Sequence, residues 1–244
     1  MSTLYVIGIG PGGARGMTVE AHEALARCGA VFGYTAYIEL VRDAVAPGTR
    51  LVATPMTREV ERCRLALESA ASGEVTALVC SGDAGVYGMA SPVLELAPEY
   101  PGADVEAVPG VTAALSGAAL LGAPIAHDFA VISLSDLLTP WELIGRRLRA
   151  AAAGDFCISL YNPRSRRRDW TLARAVEVLL ESLPSERPCG WAREIGRDGE
   201  GCGVLTLGEL RDFPADMFTT VFIGNSATRI EGGRLVTPRG YREA

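Results

Sequence analysis

The chain has 244 residues, 48% hydrophobic and 21% charged, with a formal net charge of −6, a balance that suits folded domains rather than disorder. No apolar run approaches the ~20 residues of a membrane span, and the first residues lack a basic stretch leading into an apolar one, so the expectation is a cytoplasmic protein with no membrane partner. All 23 basic residues are Arg, which excludes Lys Schiff-base chemistry and a Walker-type phosphate loop, and an acidic chain with no basic run longer than four residues predicts no nucleic-acid partner.

The run Leu4-Tyr5-Val6-Ile7 reads as a buried strand opening into glycines. Thr18 starts a helix to about Cys28 with Ala21, Ala24 and Leu25 on one face, and strands follow at Val31–Tyr34 and Arg50–Ala53. Thr57 opens a further helix with Val60, Arg64, Leu67 and Ala71 on one stripe. Val75–Cys80 and Val105–Val108 are strands, and Thr112–Leu121 is a helix of small residues. After a link at Gly122–Asp128 come a strand (Phe129–Leu134), a helix (Pro140–Ala153), a strand (Phe156–Tyr161) and a helix (Thr171–Leu183). Three closely spaced strands follow at Cys189–Ala192, Gly203–Leu207 and Thr219–Ile223, before a polar tail from Gly232 that is expected to fray. The fold class is α/β in two domains, 1–121 with a parallel-rich sheet and 122–244 with a mixed sheet, and the ligand cleft is expected between them.

Three strands end in glycine-bearing loops: Gly8-Ile9-Gly10-Pro11-Gly12-Gly13, Ser81-Gly82-Asp83-Ala84-Gly85-Val86-Tyr87-Gly88, and Val108-Pro109-Gly110-Val111-Thr112-Ala113. The first matches G-x-G-x-x-G, but Phe32-Gly33-Tyr34-Thr35 supplies no acid for a dinucleotide ribose, and Pro11 removes a backbone N–H from the loop. A dinucleotide-dependent oxidoreductase is therefore the weaker alternative. Three such loops at strand ends favour one shared ligand site.

These loops resemble the tetrapyrrole methylase family, S-adenosylmethionine enzymes of a two-domain α/β type, although the family's usual Gly-Asp-Pro is Gly82-Asp83-Ala84 here. In the second half, Ser133-Leu-Ser-Asp-Leu-Leu-Thr-Pro-Trp141, Tyr161-Asn-Pro-Arg-Ser-Arg-Arg-Arg168 and Gly196-Arg-Asp-Gly-Glu200 are similar to the branch that methylates C17 of a corrin precursor and contracts its ring. The resemblance implies a homodimer that uses S-adenosyl-L-methionine on precorrin-3B or its cobalt-bearing counterpart. Another corrin or porphyrin position, or an RNA ribose, is the alternative acceptor.

The resemblance also implies donor contacts at Gly10, Pro11, Ser81, Gly82, Asp83, Val86, Thr112, Ala113 and Asn162. Asp83 also suits a turn that bonds its own backbone. The acceptor's carboxylates call for forked cations, and Arg164, Arg166, Arg167 and Arg168, with Arg15 and Arg197, are the candidates. Ring contraction needs proton handling, for which His127 with Asp128, Tyr161 and Glu200 compete, with Asp136 as a further candidate. Only two His and six scattered Cys, with no C-x-x-C pair, predict no metal site.

Overall fold

A computed structural model describes residues 2–165 and 168–241. The chain divides into two compact units, Met1–Ala113 and Ala114–Ala244.

The first unit is a doubly wound layer of strands β1 (Ser2–Gly8), β2 (Ala30–Tyr34), β3 (Arg50–Thr54), β4 (Thr76–Cys80) and β5 (Ala103–Val108). All neighbours are parallel, in the order β3-β2-β4-β1-β5. Alternation along the strands sends successive side chains to opposite faces. Ile7, Val31 and Val79 pack with helices α1 (Val19–Arg27) and α2 (Thr35–Val41). Leu4, Val6, Phe32 and Leu78 pack on the other face with α3 (Glu59–Ala71) and α4 (Ala90–Leu96). Thr18 caps α1 as expected, its hydroxyl accepting the Ala21 N–H at 3.1 Å.

Helix α3 starts at Glu59, and its buried face is Cys63, Ala66, Leu67 and Ala70, with Val60 left 57% exposed and Arg64 paired with Glu99 at 2.6 Å. The apolar count misled because the face is built of small residues and the stem of the buried Arg62, whose Nε donates to Thr54 Oγ1 at 2.6 Å. Helices α2 and α4 were not foreseen; α4 carries Pro92 in its first turn, where the missing N–H costs nothing.

The second unit starts with α5 (Ala113–Leu121) and β6 (Gly122–Ala123). Its main sheet is built of β7 (Phe129–Ser133), β8 (Cys157–Tyr161), β9 (Pro188–Arg193), β10 (Gly201–Thr206) and β11 (Thr219–Ile223), in the order β10-β9-β11-β8-β7. Only β7 and β8 pair in parallel; the other three pairs are antiparallel, so the sheet is mixed as expected. Ile132, Leu160, Val221 and Ile223 pack beneath α6 (Trp141–Ala153), α7 (Thr171–Leu180) and α8 (Leu207–Leu210). Helix α5 approaches the opposite face closely enough that a Cβ on Gly117 would lie 2.9 Å from the Phe222 ring.

The polar tail does not fray where it was expected to. A hairpin of β12 (Arg229–Glu231) and β13 (Arg234–Val236) pairs with β6, Leu235 is fully buried, and Thr237 Oγ1 donates to the Pro124 carbonyl at 2.7 Å. The polar composition hides one buried leucine and one buried threonine.

Candidate functional site

In the first unit the loops leaving the C-terminal ends of β1, β4 and β5 meet. In the sheet order the chain leaves β1 towards β2 and β3 on one side, whereas it leaves the neighbouring β4 past β1 towards β5 on the other, the kind of strand-order reversal at which open α/β sheets bind ligands. Gly10 and Gly82 exchange two backbone hydrogen bonds, 3.0 Å and 2.8 Å, as an isolated antiparallel bridge. Gly110 is packed so tightly that a Cβ there would collide with the Gly82 carbonyl and lie 2.5 Å from the Gly8 carbonyl. Gly82 sits at φ 71°, in the left-handed region, and a Cβ on it would lie 3.6 Å from Thr112 Cα.

Asp83 fastens this assembly. Its Oδ1 accepts the N–H groups of Gly85 at 2.8 Å and Val86 at 3.1 Å, and its Oδ2 accepts the Gly110 N–H at 3.0 Å. One carboxylate thus shapes its own loop and ties it to the loop after β5. Tyr87, next along, is held at φ 53° and is 58% exposed. Such strained backbone persists only where its surroundings dictate it.

In the second unit, β7, β8 and β9 run in one direction, so the segments after Ser133, Tyr161 and Arg193 leave the same side of the sheet. Asn162, at φ 53°, donates through Nδ2 to Ser133 Oγ at 2.9 Å. The Tyr161 hydroxyl oxygen accepts the Ala114 N–H at 2.6 Å, satisfying a donor in the first turn of α5. Arg168 donates from Nη1 to Ser135 Oγ at 2.7 Å and pairs with Asp136 at 3.3 Å, and both side chains are largely buried. Arg197 stands over the Phe218 ring at 5.3 Å in a turn braced by Glu200, whose carboxylate accepts the Gly196 N–H at 2.7 Å.

Residues 3–211 match the model of the tetrapyrrole (corrin/porphyrin) methylases. The chain belongs to this family. The methylase is 47% identical over 239 residues to a probable cobalt-factor III C(17)-methyltransferase of Salmonella typhimurium, covering 98% of this chain and 99% of that one. It is 43% identical over 251 residues to a precorrin-3B C(17)-methyltransferase of Sinorhizobium sp, with 99% and 98% covered. Among solved structures, the methyltransferase CobJ superposes with a TM-score of 0.90 at 40% identity, covering 98% of this chain and all of that one. A uroporphyrin-III C-methyltransferase from Thermus thermophilus, complexed with S-adenyl homocysteine, superposes with a TM-score of 0.70 at 26% identity, covering 91% and 92%.

The fold gathers Gly10, Pro11, Ser81, Gly82, Asp83, Val86, Thr112 and Ala113 of the methylase at the meeting of its three first-unit loops. Asn162 belongs to the second unit and is engaged there by Ser133. The acid–base candidates divide. His127 and Asp128 are exposed, 3.5 Å apart, and precede β7, whereas Tyr161 ends β8 at the other end of these strands, about 16 Å away at ~3.3 Å per residue. They are not brought together with Tyr161 and Glu200. Arg15 is exposed on the turn Ala14–Gly16, and Arg164 is half-buried; neither forms an ion pair among the described residues. Arg168 is committed to Ser135 and Asp136. Arg166 and Arg167 lie outside the described residues. Among the described residues no group of His, Cys, Asp or Glu could hold a metal ion. Among the described residues no helix is long and apolar enough to cross a membrane.

Sequence reasoning missed Ser133 and Ser135 as partners of Asn162 and Arg168. Both serines lie in the Ser133–Trp141 motif that the sequence singled out, but serine's chemistry gives no signal until the fold supplies its neighbour.

Proposed function

We propose that the chain transfers a methyl group from S-adenosyl-L-methionine to C17 of precorrin-3B or its cobalt-bearing counterpart, with ring contraction, in corrin biosynthesis. The observation that carries this reading is the glycine cradle of the first unit, where the loops after β1, β4 and β5 come into backbone contact. S-adenosyl-L-methionine supplies, when bound, a methyl group already activated on a sulfonium. The protein's tasks are then to position the reactants and keep water out, which fits a site without a nucleophile and base pair.

Pro11, Ser81, Val86, Thr112 and Ala113 would hold the donor, with Asn162 as a further contact. Asp83 serves them by fixing the loops, since its two oxygens already accept three backbone N–H groups. Arg15, Arg164 and Arg197 are the cations offered to acceptor carboxylates. For proton handling we favour Tyr161, the last residue of β8, whose hydroxyl oxygen accepts the Ala114 N–H, over His127 at the opposite end of these strands. A cytoplasmic homodimer is the expected form.

The test is incubation of the purified chain with S-adenosyl-L-methionine and, separately, precorrin-3B and cobalt-factor III. One of them is expected to gain the mass of one methyl group with the absorbance change of ring contraction. No mass gain with either would overturn the reading. Calorimetry should give micromolar binding of S-adenosyl homocysteine, about −8 kcal/mol, and no comparable binding of NAD.

A further inference from the structure

The loop after β7 places two leucines in water. Leu138 is 98% exposed and Leu137 71% exposed, side by side at the tip of the segment between Ser135 and Pro140. Single exposed apolar residues are ordinary, but an adjacent pair held away from the protein forgoes burial that a slack loop would recover by folding back.

This loop is braced on several sides. The Ser135 N–H donates to Ser133 Oγ at 3.2 Å, and Arg168 grips both Ser135 and Asp136. Arg168 also exchanges backbone hydrogen bonds of 3.0 Å and 3.1 Å with Ser165, so one residue of the loop after β8 is tied both to its own loop and to the loop after β7. Their bases are closed by Trp141 against Trp170, edge to face at 5.0 Å, and by Thr171 Oγ1 donating to the Pro163 carbonyl at 2.7 Å. Arg164 lies one residue before Ser165 and has no acidic partner among the described residues, while the charge of Arg168 is met by Asp136.

An apolar pair and a guanidinium without an acidic partner among the described residues, on two loops joined through Arg168, match a ligand that is broad, apolar and flat, with carboxylates at its rim. We infer that Leu137 and Leu138 cover the face of the tetrapyrrole acceptor while Arg164 takes one of its peripheral carboxylates, with Arg168 as a positioning residue that holds the two loops together. This rests on the proposed function and names the part of the second unit that recognises the acceptor. The division of labour between Arg164 and Arg168 is specific: the half-buried cation without an acidic partner among the described residues binds, and the ion-paired cation builds.

The experiment titrates precorrin-3B and, separately, cobalt-factor III into the chain held with S-adenosyl homocysteine and follows quenching of tryptophan fluorescence, for which Trp141 and Trp170 are placed at the loop bases. The Leu137→Ser/Leu138→Ser double variant is chosen because both side chains are exposed and their loss should leave the fold intact. It is expected to weaken acceptor binding about tenfold or more, the effect of uncovering one buried side chain of this size, with the affinity for S-adenosyl homocysteine and the sedimentation behaviour unchanged. Arg164→Ala is expected to weaken the acceptor about tenfold, and Arg164→Lys to recover part of that. Acceptor affinity within twofold of the parent in the double variant would overturn the inference. Dissociation of a dimer in that variant, with or without a change in acceptor affinity, would assign the tip to contact between copies and overturn it as well. A parent chain that binds S-adenosyl homocysteine but no acceptor removes this inference and the proposed acceptor; one that binds neither removes the proposed function itself.

Discussion

The Asp83 carboxylate and the Gly110 N–H, 27 positions apart in the chain, meet at 3.0 Å and join the loop after β4 to the loop after β5. The same carboxylate holds Gly85 and Val86. Replacing Asp83 by Ala removes three charge-assisted hydrogen bonds at once and is expected to cost about 2–4 kcal/mol of stability. Asp83→Asn keeps a single acceptor oxygen and should lose less. Thermal unfolding measures the stability, and calorimetry with S-adenosyl homocysteine measures whether the cradle loosens with it. If Asp83→Ala melts like the parent, the carboxylate does not fasten the loops.

Gly82 and Gly110 resist substitution for different reasons, and the difference is measurable. At Gly82 a Cβ meets Thr112 Cα only at 3.6 Å, an ordinary contact, so Gly82→Ala suffers mainly from the φ of 71°, about 1–2 kcal/mol. At Gly110 a Cβ collides with two backbone carbonyls that cannot rotate away. Gly110→Ala is expected to be the more damaging by at least about 1 kcal/mol, although its backbone is the less unusual. Urea unfolding of the two variants decides, and equal midpoints would contradict the packing account. Gly82→Val adds a branched side chain to the strained backbone and should also abolish donor binding.

The cradle was legible because each of its parts carries a local signature: Leu4–Ile7 and Val75–Cys80 are largely apolar, Val105–Val108 is a shorter stretch broken by Glu106, and each is followed within two residues by glycine. What joins the parts was not. Asp83 in isolation suits a turn as well as a ligand, and only the approach of Gly110 decides that it staples two loops. Helix α3 was placed in the wrong frame because Cys63, Ala66 and Ala70 carry less apolar signal than Val60, which faces water. His127 drew notice as a rare residue type, yet its position before β7 separates it from Tyr161 by the length of the strand, and rarity carries no information on which end of a strand a residue occupies.

Arg168 and Asp136 are expected to couple. Both side chains are mostly shielded, at 21% and 29% exposure, and Ser135 shares the guanidinium. Arg168→Ala, Asp136→Ala and the double variant form a cycle in which an interaction energy of about 1 kcal/mol is expected, at the upper end of the range for solvated pairs. Strict additivity in chemical denaturation would show that the two loops are held by other contacts.

Five of the six cysteines are buried and Cys202 is exposed. Burial pushes the thiols of Cys28, Cys63 and Cys80 up to about 11 and that of Cys189 to about 12 from 9.0. At pH 8 one thiol should therefore react with a thiol reagent in the native protein and six in denaturant. The raised values also fix a sign. The unfolded chain releases these protons from about pH 9 while the native chain keeps them, so stability is intact below pH 9 and falls progressively as pH rises towards 11. A melting temperature that rises between pH 9 and pH 10.5 would contradict this.

The pairing of β6 with β13 has a bearing on how the second unit is made. Gly122 and Ala123 cannot find Leu235 and Val236 until more than a hundred further residues have left the ribosome. Loop closure over such a span is slow, and the three-stranded sheet cannot be completed early in synthesis. The first unit, whose described strands all come from the first 113 residues, is free to assemble while the rest is still being translated. Removal of the chain after Glu231 would then leave a competent first unit beside a second unit halted short of its last step, with the Leu121 and Gly190 surroundings of Leu235 uncovered.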